Sequence, residues 1–575
     1  MTNLRSAFHT LPVRIAMVLA LLSTSLLLSL PSTPASAEPE PPRIIPQPVS
    51  QHFPGGPGVS LGEDSVIVVR RPQAAAVRDV AGLLAGVLRP STGFALPVRH
   101  HPYGAAGWIE LDARGPAELG QEGYRLRTEG GKRVLLQAHT AEGLFRGVQT
   151  LRQLLPAKVE AATRQDGPWT IPAADITDRP RFGYRGFMLD VGRRFVPPAD
   201  VKRFIDQAAR YKMNVFHWHL TEDQGWRIPI EGMPELTTVG GSTQSGWRPG
   251  TGGPWFYTPQ EYRDIVAYAA QRYVTVVPEI DGPGHTAAAL ASVPGLNCND
   301  TARPPYYGFD VRVSILCLTD ERHRANVRDF VGKVFKETAA LNPGPYLHIG
   351  GDEVPSVTRE QYAGYIKDAA DAAVANGKRV IGWHQIADGP LPPGSLLQYW
   401  GDASDRPTIG TANESANVRQ IRAGLAQDAQ VLVSPADRAY LDMKYDAQTP
   451  YGLQWAGLVS VQKAYSWDPV TALARPDGSQ GLVTEEQVAG VEAALWTDRA
   501  YRGSSRLPTS LDQFPAPAVY MDYMSFPRLP ALAEIAWSPA AAKDWEGFRA
   551  RLGAHGPRWE AQGIGFFRSA EIDWR

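Results

Sequence analysis

Residues 346–356 read YLHIGGDEVPS. A short apolar run, Tyr346 to Ile349, meets two glycines and then two neighbouring carboxylates, Asp352 and Glu353. An apolar run of this length bounded by a turn signal reads as a buried strand. Glycine at a strand end marks a close approach of backbone to something else. It also lets the chain turn, so that neighbours reach one site instead of alternating faces. The bland reading of the acid pair is a helix cap followed by a first-turn acid. The sequence on either side bears on the choice.

The same design recurs seven times: GFMLDV (186–191), NVFHWHL (214–220), VTVVPEI (274–280), RVIGWH (379–384), LLQYW (396–400), QVLVSP (430–435) and GVEAALW (490–496). Helical segments at 198–212, 259–272, 358–376 and 516–537 lie between several of them. Eight strands with helical crossovers predict a (β/α)8 TIM barrel over 179–540. Upstream, residues 61–178 mix strand-like runs such as SVIVVR and RVLLQAH with two helical runs, which predicts a smaller α+β domain. The Pro-punctuated stretch 166–182 reads as the connector. Residues 38–60 read as an extended segment, and 541–575 as a helical segment packed on the barrel. The fold class is α/β with an α+β domain in front.

Composition narrows the function classes. The chain of 575 residues carries 58 Lys+Arg against 59 Asp+Glu, a net charge of −1, which gives no reason to expect nucleic acid or an anionic membrane surface as partner. Fifteen Trp is a heavy load, and sugar pockets are one place where such rings are used. Arg5 and Arg14 precede the apolar run 15–30, and Ala35-Ser36-Ala37 forms a small-x-small site. Residues 1–37 therefore read as a cleavable signal peptide, with cleavage after Ala37 and a secreted mature chain. The run is short for a membrane anchor, the alternative reading. Cys298 and Cys317 are the only cysteines, and in an oxidising compartment they are expected to form one disulfide closing a loop.

Barrels of this kind carry their sites at the C-terminal ends of the strands. Those ends supply, in order, Arg193 and Arg194; Glu222 and Asp223; Asp281 and His285; Asp352 and Glu353; Trp383 and His384; Trp400; Tyr440 and Asp442; and Trp496 and Asp498. Acids, an arginine and several aromatic rings at one rim describe a polar pocket for a ring-shaped ligand. His217 and His219, two apart on one strand face, could hold a metal or fill the barrel interior. No HExxH, CxxC or GxxxxGK stretch occurs, and neither metal nor cofactor is expected.

Together YRGFMLDVGRRF, NVFHWHLTEDQGWRI, VVPEIDGPGHTAAAL, YLHIGGDEV, AYLDMKY and GVEAALWTD resemble the β-N-acetylhexosaminidases of glycoside hydrolase family 20. EGLFRGVQTLRQLL (142–155) resembles the end of that family's accessory domain. The resemblance implies an exo-acting, retaining hydrolase of terminal β-GlcNAc or β-GalNAc in which the substrate's own acetamide is the nucleophile. Two carboxylates then need not be separated by the roughly 5 Å or more of other glycosidases. By position Glu353 would be the general acid, with a raised pKa, and Asp352 the ionised group that steers the acetamide. Tyr440 would donate to the acetamide carbonyl. Trp383, Trp400 and Trp496 would wall the pocket, with Trp455 at its rim. Arg193, Asp442 and Asp498 would hold the sugar hydroxyls, and Glu222, Asp281 and His285 would tune Glu353 from behind.

Some positions depart from the family pattern. Asp is expected at 222 and Glu at 498, while Gly192 and Arg194 stand where Ser or Ala and His are common. Three rival readings are a disaccharide-releasing relative with a roomier pocket, a secreted glycan-binding protein with a dead site, and a metal-dependent barrel hydrolase.

Overall fold

The computed structural model describes residues 42–71, 75–250, 252–354, 356–499 and 514–575. The expected signal peptide lies outside them. Eight parallel strands, Tyr184–Asp190, Val215–His219, Thr275–Glu279, Tyr346–His348, Arg379–Trp383, Leu396–Tyr399, Gln430–Val433 and Val488–Leu495, form a closed barrel. The eighth pairs back on the first, from Tyr184 with Gly490 to Leu189 with Leu495. Each strand falls on one of the runs above. The first is buried along its whole length, as a strand must be when helices cover one face and barrel side chains the other.

Local chemistry sets where the outer helices begin. Pro259–Ala270 starts in a capping box between Thr258 and Glu261, and Arg359–Ala375 in one between Thr358 and Gln361. The helix expected over 516–537 is two, Pro517–Ser525 and Arg528–Trp537. The break falls at Phe526-Pro527, where proline has no N–H to continue the ladder.

The domain in front carries a seven-stranded mixed sheet, in the order Ser50–His52, Asp175–Asp178, Tyr124–Glu129, Arg133–Ala138, Trp108–Asp112, Val66–Val68 and Val98–Arg99. Helices Ala75–Thr92 and Ala141–Leu154 pack on each other and on this sheet. The sheet corrects the sequence reading at both ends. Ser50–His52, in the segment expected to precede the domain, is an edge strand, and its partner Asp175–Asp178 lies in the stretch read as connector.

Buried ion pairs fasten this domain to the barrel. Glu122 lies between the guanidinium groups of Arg146, at 2.8 Å, and Arg185, and Lys212 meets Asp178 at 2.8 Å. Charges so buried are tolerable only when paired in this way. Arg146 also donates to the Tyr273 carbonyl at 2.8 Å. These barrel residues sit at or just before the N-terminal ends of the first three strands, which leaves the opposite rim clear. The C-terminal segment forms two short helices, Trp545–Gly553 and Gly556–Ala561. It touches both domains: Trp559 donates to the Tyr211 hydroxyl at 2.7 Å, and Arg558 to the carbonyls of Arg152, Gln153 and Leu155.

Candidate active site

After the fourth strand the chain turns sharply. Gly350 and Gly351 take φ of +68° and +107°, and Glu353, unusually for a residue with a side chain, takes +49°. A Cβ at Gly350 would lie 1.7 Å from Asp281 Oδ1, and one at Gly351 2.4 Å from a methyl of Ile386. The same Asp281 oxygen accepts from the backbone N–H of Gly282 at 2.7 Å and of Gly351 at 3.2 Å. Asp281 thus pins the turn from the third strand, and the turn brings both neighbouring carboxylates to one place. Gly350→Ala is expected to lower stability by about 1–3 kcal/mol, through its positive φ and the displaced Asp281. A thermal melt should show a clear fall, with activity falling alongside.

Both carboxylates face one imidazole. His285 Nε2 lies 3.8 Å from Asp352 Oδ2 and 3.6 Å from Glu353 Oε2, while its Nδ1 lies 2.8 Å from Glu222 Oε1. That Glu222 oxygen is 2.5 Å from Arg193 Nη2. Arg193 reaches on to Asp498 at 3.1 Å and Asp190 at 3.4 Å, and its guanidinium lies 4.8 Å from the centre of the Trp496 ring. A continuous chain of charges therefore runs from Asp498 through Arg193, Glu222 and His285 to the acid pair. Glu222 occupies its centre, so the longer side chain at 222 keeps the link to His285. Gly192 backs onto it, and a Cβ there would come within 2.7 Å of Glu222 Cβ. Arg194 stands apart from this chain, donating to the Pro515 carbonyl at 2.8 Å.

The electrostatics reverse the expected order of the pair. Burial pushes Asp352 up to about 6, with repulsion from Glu353 added and the His285 charge opposing. Glu353 is also pushed up by burial, but His285 and the Arg312 guanidinium outweigh this and hold it below the ordinary glutamate range. Arg312 Nη2 lies 3.2 Å from Glu353 Oε1. His285 itself is driven well upward: burial opposes its charge, but Glu222 and Asp352 more than compensate. Asp281, beside Asp352, is pushed far up by burial and by that neighbour.

Above the pair the aromatic residues close into a connected wall. Ring centres are 5.6 Å apart for Trp383 and Trp496, 6.2 Å for Trp496 and Tyr440, 6.0 Å for Tyr440 and Trp455, and 6.0 Å for Trp455 and Trp400. Trp383 and Trp400 are fixed through their N–H groups, on Glu279 at 2.9 Å and Gln385 at 3.0 Å. Trp455 is 54% exposed, which puts it at the rim. Burial, Asp442 and Asp352 raise the Tyr440 phenol well above its usual value, so it stays a hydrogen-bond donor. Asp442 is buried, and neither of its carboxylate oxygens has a hydrogen-bond partner among the described residues. Such a group is costly unless something with hydroxyls completes it.

The sequence-expected residues thus converge on one rim. Beneath it His217 and His219 fill the barrel interior, one of the two readings given for them above, but sequence reasoning missed the acids that hold them. Glu279 ends the third strand and contacts His219, His217 at 2.9 Å and His348 at 3.0 Å; the other nitrogen of His217 is 2.7 Å from Glu492. The three histidines fill the barrel interior in this network. Asp190, which accepts from the N–H groups of Arg193 at 2.9 Å and Thr497 at 3.1 Å, was also missed. An acid as the last residue of an otherwise apolar strand is the signal shared by Asp190 and Glu279. Arg312 had no such signal. Cys298 and Cys317 are joined, as expected, and close the loop that carries it.

Comparisons with known proteins agree with this geometry. Residues 182–540 match the model of glycosyl hydrolase family 20, catalytic domain, and residues 41–179 that of glycosyl hydrolase family 20, domain 2. The chain is 36% identical over 533 residues to a β-N-acetylhexosaminidase of Cellulomonas fimi, covering 92% of this chain and 97% of that protein. It superposes with a TM-score of 0.82, at 43% identity, on the family 20 β-N-acetylhexosaminidase of Streptomyces coelicolor A3(2), covering 94% of this chain and all of that one. A mutant Streptomyces plicatus β-hexosaminidase in complex with its product GlcNAc matches with the same TM-score and identity. A barrel whose fourth strand delivers two adjacent acids beneath an aromatic wall, matched along nearly its whole length, belongs to glycoside hydrolase family 20.

Proposed function

We infer that the chain is an exo-acting, retaining β-N-acetylhexosaminidase that releases terminal non-reducing β-GlcNAc or β-GalNAc by substrate-assisted catalysis. The observation that carries this reading is the pair Asp352 and Glu353, turned by Gly350 and Gly351 onto one imidazole instead of across a sugar from each other. One such acid serves the leaving oxygen and the other the acetamide.

In the first step the acetamide carbonyl oxygen of the bound sugar attacks C1 as the C1–O bond to the leaving group breaks. Glu353 gives its proton to the leaving oxygen. Asp352 accepts the acetamide N–H and balances the positive charge of the oxazolinium ion, while Tyr440 donates to the carbonyl oxygen and aligns it. In the second step Glu353 takes a proton from water, which attacks C1 and reopens the ring. Two inversions at C1 retain the β configuration. Trp383, Trp400, Trp455 and Trp496 supply apolar faces to the sugar and its methyl group. Asp442, Asp498 and Arg193 take the outer hydroxyls. Arg193, locked by Glu222, Asp498 and Asp190, closes that end of the pocket, which favours exo action over release of a disaccharide.

The charge state of the free site adds a step. An acetamide N–H on Asp352 favours its ionised form, whereas a sugar that displaces water and Arg312 from Glu353 favours the neutral acid there. Substrate binding therefore moves the proton of the pair from Asp352 to Glu353. The free enzyme must hold one proton on the pair, and that proton leaves as pH rises through about 6. For a neutral substrate, kcat/KM is expected to fall with rising pH above this value, and the corresponding limb of kcat to lie at higher pH. A kcat/KM profile flat through pH 8 would contradict the shared proton.

The same reading extends to location. A secreted mature chain beginning at Glu38 is supported by the basic residues, apolar run and small-x-small site of 1–37, and by the disulfide. N-terminal sequencing of protein from the culture medium tests it, and an intact Met1 there would refute cleavage.

A further inference from the structure

Arg312 is an odd neighbour for a proton donor. An acid that must be neutral to act is held ionised when a guanidinium lies 3.2 Å from it. The contact is built in. Arg312 has a left-handed backbone, φ +61°, and the chain just after it is bolted to the site. Ser314 hydrogen-bonds Asp223 and accepts from the Thr286 N–H at 2.7 Å, Ile315 bridges Gly284, Leu316 donates to the Pro283 carbonyl at 2.9 Å, and Cys317 closes the disulfide. The anchor points flank His285 on the third-strand loop.

Its direction is equally defined. Glu353 turns Oε2 toward His285 and the pocket floor, and Oε1 toward Arg312. Arg312 therefore lies on the outer side of the general acid, where the leaving group must pass, and its side chain is 60% exposed there. The loop closed by the disulfide carries Arg303 besides Arg312 and two exposed acids, Asp310 and Asp300, the latter held by Arg322 at 2.8 Å. From outside the loop the Arg248 guanidinium lies 5.6 Å from the Tyr307 ring centre and that of Arg499 4.8 Å from Phe309.

We propose that Arg312 is a specificity-determining residue that binds a carboxylate carried by the leaving sugar close to the scissile oxygen. This rests on the hexosaminidase reading above. A carboxylate there takes over the guanidinium from Glu353, a charge-assisted hydrogen bond for a charge-assisted hydrogen bond. In the same exchange Glu353 loses one of the two cations beside it, His285 and Arg312, that favour its ionised form, and holds the proton it must give more readily. A neutral leaving sugar has to displace Arg312 without supplying a substitute. Acidic leaving groups are therefore bound and activated by one residue.

The test compares kcat/KM for β-1,4-linked disaccharides with GlcNAc at the non-reducing end. The leaving sugar is N-acetylmuramic acid against GlcNAc, and glucuronic acid against glucose. Wild type is expected to favour the acidic member of at least one pair by about tenfold, the contribution of one hydrogen bond to a charged group. Which pair shows it tells whether the carboxylate is carried on a lactyl ether or on the ring itself. In Arg312→Gln the acid-to-neutral ratio should collapse toward one, and in Arg312→Lys part of it should survive. Arg312→Gln should also move the high-pH limb of kcat/KM for the neutral disaccharide upward, which a merely structural arginine would not do. Besides Arg312, the charged and titratable groups that face the acid pair are His285, Arg193 and Glu222, with Glu279 and Asp281 on the Asp352 side. No acid preference in wild type, or a preference unchanged in Arg312→Gln, would overturn the proposal. Hydrolysis of the neutral pair reports separately on the hexosaminidase reading.

Discussion

Glu353→Gln is expected to lower kcat/KM for a GlcNAc disaccharide by about 10²–10⁴-fold, the usual contribution of a positioned general acid. Glutamine keeps the shape but has no proton to give. The loss should depend on the leaving group. A sugar leaves as a strongly basic alkoxide unless protonated, whereas a dinitrophenolate departs unaided, so the dinitrophenyl glycoside should lose far less in its first step. That contrast separates loss of the acid from loss of the fold. An equal loss on both substrates would place the function of Glu353 elsewhere.

Asp352→Asn is expected to reduce kcat by about 10²–10³-fold, the scale for removing one preorganised electrostatic partner of a transition state. The effect should fall on kcat more than on KM, because the oxazolinium charge that Asp352 balances exists only after the acetamide has attacked. The variant also removes the carboxyl that burial holds at about 6. The proton shared by the pair then has one carboxyl left, beside His285 and Arg312, which favour its ionised form. The high-pH limb of kcat/KM should therefore move to lower pH. A rise in KM alone, with kcat kept, would mean that Asp352 only anchors the sugar.

The barrel was legible because its strands are short apolar runs that end in polar residues, a pattern that buried parallel strands impose. The rim residues followed from those ends. The adjacent acids were readable as one site because two glycines precede them, and the structure gives those glycines the positive φ that the turn needs. Ser50–His52 was not legible as a strand: three polar residues at a sheet edge carry no alternation to read. Glu279 and Glu492 escaped because their purpose, holding three histidines in the barrel interior, arises from strands distant in sequence.

The order of the two acids was misjudged for a related reason. It depends on His285 and, beyond it, on Arg312, which lies on an irregular loop whose path is set by a disulfide and by contacts to Asp223, Thr286 and Gly284. No periodicity announces such a path. Asp281 stands at the rim, but it serves the turn at Gly351 and is itself raised by burial and by Asp352, while Glu222 is the residue joined to His285.

The most direct test of substrate assistance compares hydrolysis of the p-nitrophenyl β-glycosides of GlcNAc and of glucose by the same enzyme, with Glu353→Gln as control. The two sugars differ only at C2, where the acetamide nucleophile is present or replaced by hydroxyl. An intramolecular nucleophile is worth many orders of magnitude, so the glucoside should be slower by about 10³-fold or more. Comparable rates on the two sugars, both lost in Glu353→Gln, would show that the acetamide is not the nucleophile.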